Sequence, residues 1–216
     1  MPTLGQLHAA MKGFPRRLTW ADFSAVSTSP DPDYDALTVS RMTLKKFFSL
    51  GSGIGSIGRR TFKTIVLYVD PIIEVDMNKT LSWALDTAKT PELLLHEQGH
   101  FDIAGLVARD FAAKLLEMNI PTEEVMDELN RSIPFDDKTR HLNTKLQTKV
   151  DDARREVDAL LDLLQTTQLG DDGEYDKDTE HGENKANQRQ WNCLFQRVKA
   201  TNSNFEKSLR MARLIP

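Results

Sequence analysis

Cysteine is nearly absent from this chain of 216 residues, with Cys193 standing alone. One thiol closes no intrachain disulfide and cannot build a cysteine-based zinc cluster, which needs several nearby thiolates. A metal bound here has to be held by histidine and carboxylate. Cys193 falls among Trp191, Leu194, Phe195 and Val198 at helical spacing, so it reads as a small core residue rather than a nucleophile. Long apolar runs are missing too, and none approaches a membrane span. The stretch from Met1 to Trp20 has no continuous apolar segment, and its Arg16-Arg17 pair comes too late for a secretory signal. Basic charge is not in excess: Lys and Arg number 28, Asp and Glu 32, for a net charge of −4. That balance argues against a nucleic-acid module, which usually shows a basic stripe. What is present, 39% hydrophobic and 28% charged residues, suffices for a core and gives no reason to expect global disorder. The length suits a single domain, with or without a helical extension.

Along the chain, residues 1–16 show weak periodicity and read as a loose helix or arm. Arg17 to Phe23 alternates like a strand, the proline- and serine-rich residues 27–33 read as a loop, and Ala36 to Met42 as a second strand. Residues 51–58 contain Gly53, Gly55 and Gly58 in a GxGxxG spacing. A dinucleotide site needs a helix next, but Thr61 to Val69 is β-branched, so the glycines read as a hairpin loop. Ile72 to Met77 continues as a strand after the Asp70-Pro71 break. The N-terminal part is therefore expected to be a small, mostly antiparallel sheet. Thr90-Pro91-Glu92 is a helix start, and Pro121 ends that helix beyond Met118 or Asn119. A short helix capped by Thr122 and a long one over 137–168, running back antiparallel, follow. The acidic stretch 170–183 reads as a solvated loop, Asn184 to Ala200 as a final helix, and residues 201–216 as a frayed tail. The domain is expected to span 17–200.

Chemistry concentrates in His96-Glu-Gln-Gly-His100. Histidines at i and i+4 lie about 40° apart on one helix face, so both imidazoles reach one ion. Glu97 sits about 100° round, able to miss the ion yet reach a water beside it. Zinc would lower that water's pKa to about 7 while the carboxylate takes its proton. Gly99, inside the helix, costs about 1 kcal/mol against alanine, which a close approach would explain. Catalytic zinc usually has a third protein ligand. The returning helix offers Asp152 and Glu156, and the acidic stretch offers His181, which is favoured because its acidic neighbours could orient its second nitrogen. Asp102 lies too far round the helix, and His8 and His141 read as surface residues.

The string Leu93 to Ala104, with Leu18-Thr-Trp-Ala-Asp-Phe23, Ser82-Trp83, and Tyr175-Asp-Lys-Asp-Thr-Glu-His-Gly182 followed by Gln188 and Trp191, resembles a family of bacterial zinc-dependent proteases of uncharacterised function, assigned to that activity largely by motif. The resemblance runs from Leu18 to Trp191 and points to His181 independently. It implies a zincin-like α+β fold, a small sheet packed on the motif helix, with an extended substrate pairing to an edge strand among residues 61–77. It implies Zn2+ on His96, His100 and His181, Glu97 as base, Tyr175 as an oxyanion donor, a protein or peptide substrate, and export if a signal has been removed. The alternative is a zinc-binding protein of this fold without protease activity; Glu97 argues against it, since a structural site does not need that carboxylate.

Overall fold

The computed structural model describes residues 2–26, 35–57, 60–117, 144, 148, 151, 152, 155 and 173–215, and over 48–68 the backbone alone. The chain opens with helix α1 (Leu4–Ala10). Thr3 caps it: its hydroxyl accepts from the Gln6 N–H, and the Gln6 side chain returns to the Thr3 N–H at 2.8 Å, a reciprocal pairing of otherwise orphaned donors. Strand β1 (Met11–Lys12) follows and pairs in parallel with Ile73 and Glu74. Leu7, Ala10, Met11 and Phe14 are all buried. The segment expected to be a loose helix or arm is thus helical over Leu4–Ala10 and part of the core.

Residues 17–23 are not a strand. Trp20–Asp22 forms a 3-10 turn because Asp22 Oδ2 accepts from the Thr19 N–H at 2.9 Å and its hydroxyl at 3.2 Å. This local bonding competes successfully with alternation. Arg16 and Lys79 pair with the same carboxylate.

Strands β2 (Ala36–Leu37), β3 (Ser40–Ile57), β4 (Arg60–Met77) and β5 (Trp83–Ala84) make two sheets: β1-β4-β3 and β2-β5. The larger is mixed, with β3 and β4 antiparallel from Ser40↔Met77 to Ile57↔Arg60. Residues 51–57, expected in a loop, are paired strand, and the turn comes only after Ile57. The Asp70-Pro71 break does not divide β4 either. It lies opposite register shifts between Leu44 and Phe48, where a proline without an N–H is accommodated and Lys46 Nζ reaches Asp70 Oδ2 at 2.6 Å. β4 is flanked on both sides only at Ile73 and Glu74, where β1 joins it; over Arg60–Ile72 its described pairing is with β3 alone.

Helix α2 (Pro91–Glu117) starts as expected, with Thr90 Oγ1 accepting from the Leu93 N–H at 3.1 Å. It is buried nearly all round, since both strands of the hairpin and three helices pack against it. Beyond it come α3 (Glu174–Thr179), α4 (Lys185–Lys199) and α5 (Phe205–Met211). The acidic stretch is therefore partly helix, with Tyr175, Asp176 and Thr179 buried. In α4, Trp191, Leu194, Phe195 and Val198 face the core as expected, but Cys193 lies on the opposite face and is exposed. The tail is tied down: Phe205 and Leu209 are buried, and Asp110 accepts from the Phe205 N–H at 2.8 Å and the Glu206 N–H at 3.2 Å. Burial pushes the Asp110 carboxyl up to about 6 against those two bonds. The helices expected at Thr122 and over 137–168 lie outside the described residues apart from isolated positions, and so do Glu156 and His141. The described protein is α+β, with one hydrophobic cluster reaching from Leu7 to Ile215.

Candidate metal centre

Two elements build the site. α2 presents His96 and His100 one turn apart on the same face, with ring centroids 4.8 Å apart. α3 lies across them and contributes Asp176. Asp176 Oδ1 is 3.1 Å from each Nε2, and the two Nε2 atoms are 3.2 Å apart. These three residues form a group whose ligand atoms could hold a metal ion. His96 is 2% exposed, Asp176 3% and His100 9%.

The chemistry of the three fits a cation. Four-coordinate zinc with bonds of about 2.0–2.1 Å places neighbouring ligand atoms about 3.3–3.4 Å apart, close to the spacing seen. Burial pushes the Asp176 carboxyl up, but His100 and His96 together outweigh it and hold it well below the usual carboxylate range. An ionised buried carboxylate needs a positive partner. The two imidazoles supply it when protonated, each Nε2 standing 3.1 Å from Oδ1, and a bound cation would take over that role.

Glu97 is 3% exposed and its Oε2 has no hydrogen-bond partner among the described residues. Its backbone carbonyl accepts from the Thr38 hydroxyl at 3.4 Å, which fixes the β2–β3 connection against the motif. A buried carboxylate oxygen without a donor is rare in folded proteins and calls for a ligand or water to explain it.

Behind His96 the packing is tight. The Tyr175 ring stacks on the His96 ring at 4.9 Å and 5°. Its hydroxyl is fully buried, donates to the His96 carbonyl at 3.1 Å and accepts from Gln188 Nε2 at 2.7 Å. Burial raises its pKa well above that of an ordinary tyrosine. A Cβ on residue 99 would overlap that hydroxyl, and this explains the glycine inside the motif. Gln188 Oε1 and Thr179 Oγ1 each lie 3.3 Å from His96 Nδ1.

The expected residues are thus partly brought together. His96, Glu97 and His100 lie in one buried cluster. The group that could hold a metal ion includes Asp176 beside the two histidines, where His181 was expected. His181 is nearby and half-buried, its ring centroid 6.1 Å from that of His96. It sits in a turn in which Glu180, His181 and Gly182 have φ of 49°, 51° and 90°. A Cβ on Gly182 would come 3.0 Å from the His96 Cβ, so this turn closes directly over the motif helix. Asp152 is exposed and paired with Arg155. Asp102 pairs with Lys199 at 2.7 Å. Tyr175, expected to face an oxyanion, turns its hydroxyl to the helix backbone instead. Gln188 and Asp176 both fall in the stretches that carry the family resemblance, but among so many acids nothing local marks Asp176 as the inward one.

These features define a buried carboxylate–histidine group able to hold a metal ion, built by α2 and α3 beside Glu97, whose Oε2 has no hydrogen-bond partner among the described residues. No protein family, no curated protein and no solved structure matches the chain.

Proposed function

We propose that the protein is a zinc-dependent peptidase of zincin-like architecture, with zinc held by His96, His100 and Asp176. The observation that carries this reading is Glu97: a buried carboxylate with an unpartnered oxygen, next in sequence to one ligand of a group that fits zinc. A structural zinc site closes with four protein ligands, whereas a catalytic one keeps three and an open position. Two histidines and a carboxylate are the donors that zinc accepts in such sites and are poor ligands for soft metals such as Cu(I).

Zinc bound there would acidify a water to a pKa of about 7 and polarise a carbonyl. Glu97 takes the proton from the attacking water and returns it to the departing amine. Asp176 supplies negative charge and moderates the net charge of the centre. Tyr175 holds His96 in place through stacking and its bond to the helix. Peptide is the proposed substrate class.

The test is hydrolysis of a mixed peptide library by the zinc-loaded chain and by Glu97→Gln. The reading expects cleavage by the wild type and a fall of about 10²–10⁴-fold in the variant with zinc retained. Zinc-loaded wild type that cleaves no peptide would overturn the peptidase reading and favour a zinc-binding protein without protease activity.

A further inference from the structure

Resting on the proposed metal centre, we infer that Gln188 is a positioning residue which, oriented by Tyr175, fixes the tautomer of His96 so that Nε2 offers its lone pair to the metal. The geometry is a closed circuit. Tyr175 O–H meets the His96 carbonyl at 3.1 Å. A carbonyl can only accept, so the phenol is the donor there and its oxygen is left to accept from Gln188 Nε2 at 2.7 Å. That orients the amide, and Gln188 Oε1 is the end turned to His96 Nδ1 at 3.3 Å. An amide oxygen has no proton, so Nδ1 carries it. Thr179 agrees, because its hydroxyl donates to the Tyr175 carbonyl at 2.7 Å and faces Nδ1, 3.3 Å away, with its oxygen. A neutral imidazole protonated on Nδ1 has a free pair on Nε2. Flipping the amide would give the other tautomer but would lose the bond from Tyr175 to the helix.

The circuit also ties together residues from three elements. Gln188 lies on α4, Tyr175 on α3 and His96 on α2. Gln188 is 4% exposed and Tyr175 0%, so water does not compete for these bonds. A shift of α4 against α2 would break the circuit before it reached the metal ligands themselves.

Two measurements on the full chain test this. The first is 15N NMR of the histidine side chains in the metal-free protein, at a pH where His96 is neutral. The inference expects the proton on Nδ1 in the wild type and tautomer mixing in Gln188→Met; a wild-type His96 protonated on Nε2 overturns it. The second is zinc affinity by chelator competition. Gln188→Met is expected to weaken zinc about 10–100-fold, while Gln188→Glu, which keeps an acceptor at Nδ1 but loses the donor to the Tyr175 hydroxyl, is expected to lose less. Equal losses in both variants, or none in either, overturn the inference. Wild type that binds no zinc while His96 is still protonated on Nδ1 would reject the metal centre and leave the circuit standing. If Gln188→Met does not fold, the wild-type tautomer alone decides.

Discussion

Gly99→Ala separates two opposite expectations. By helix propensity alone, alanine at this interior position of α2 would stabilise the protein by about 1 kcal/mol. The structure reverses the sign. The new methyl overlaps the Tyr175 hydroxyl and crowds its ring, and Tyr175 cannot move without disturbing its stacking on His96 and its bonds to His96 and Gln188. Overpacking costs about 1–3 kcal/mol, and leaving a buried polar group unsatisfied about 1–3 kcal/mol more. After the propensity gain the net loss is about 1–5 kcal/mol. Urea unfolding of the metal-free chain measures it, because m and the midpoint together report stability. Tyr175→Phe removes the nearest clashing atom, so the double variant should recover at least about 1 kcal/mol of the sum of the single losses. A Gly99→Ala protein more stable than wild type would refute the packing argument.

Other outcomes follow from the same contacts. Lys199→Met leaves the Asp102 carboxylate, 3% exposed, without its cation, and should cost about 3–5 kcal/mol, while Asp102→Leu with Lys199→Met recovers most of it; thermal unfolding of both variants checks this. The Asp22 carboxyl is held at about 2: burial raises it, and Lys79, the Thr19 N–H and Arg16 outweigh burial. Its folded pKa is therefore below the unfolded value of about 3.9, so the stability it contributes is present above about pH 4 and lost as pH falls toward 2. The gap in urea midpoint between wild type and Asp22→Asn should close over that range.

The sequence was most legible where caps, period and motif agree. Thr90-Pro91 marks the start of α2, and Asn184 with the Trp191, Leu194, Phe195, Val198 stripe marks α4. His96, Glu97 and His100 needed only the helical repeat. Residues whose place depends on partners remote in sequence were misread. Arg17 to Phe23 alternates, but Asp22 closes a local turn. The glycines at 51–57 read as loop because glycine weakens strands, yet the paired β4 holds them in register. Asp176 is the instructive miss. It stands in an acidic stretch whose composition favours solvent, and it is the packing of Tyr175 on α2, Gly99 included, that accompanies Asp176 facing the histidines. The glycine that seemed a cost in the helix and the tyrosine taken for an oxyanion donor are two halves of that one contact.

The most direct test of the account is zinc stoichiometry by elemental analysis on wild type, Asp176→Ala and His181→Ala. The account predicts about one zinc per chain in wild type, loss in Asp176→Ala and retention in His181→Ala. Zinc lost in His181→Ala but kept in Asp176→Ala, or no zinc in wild type, would contradict it.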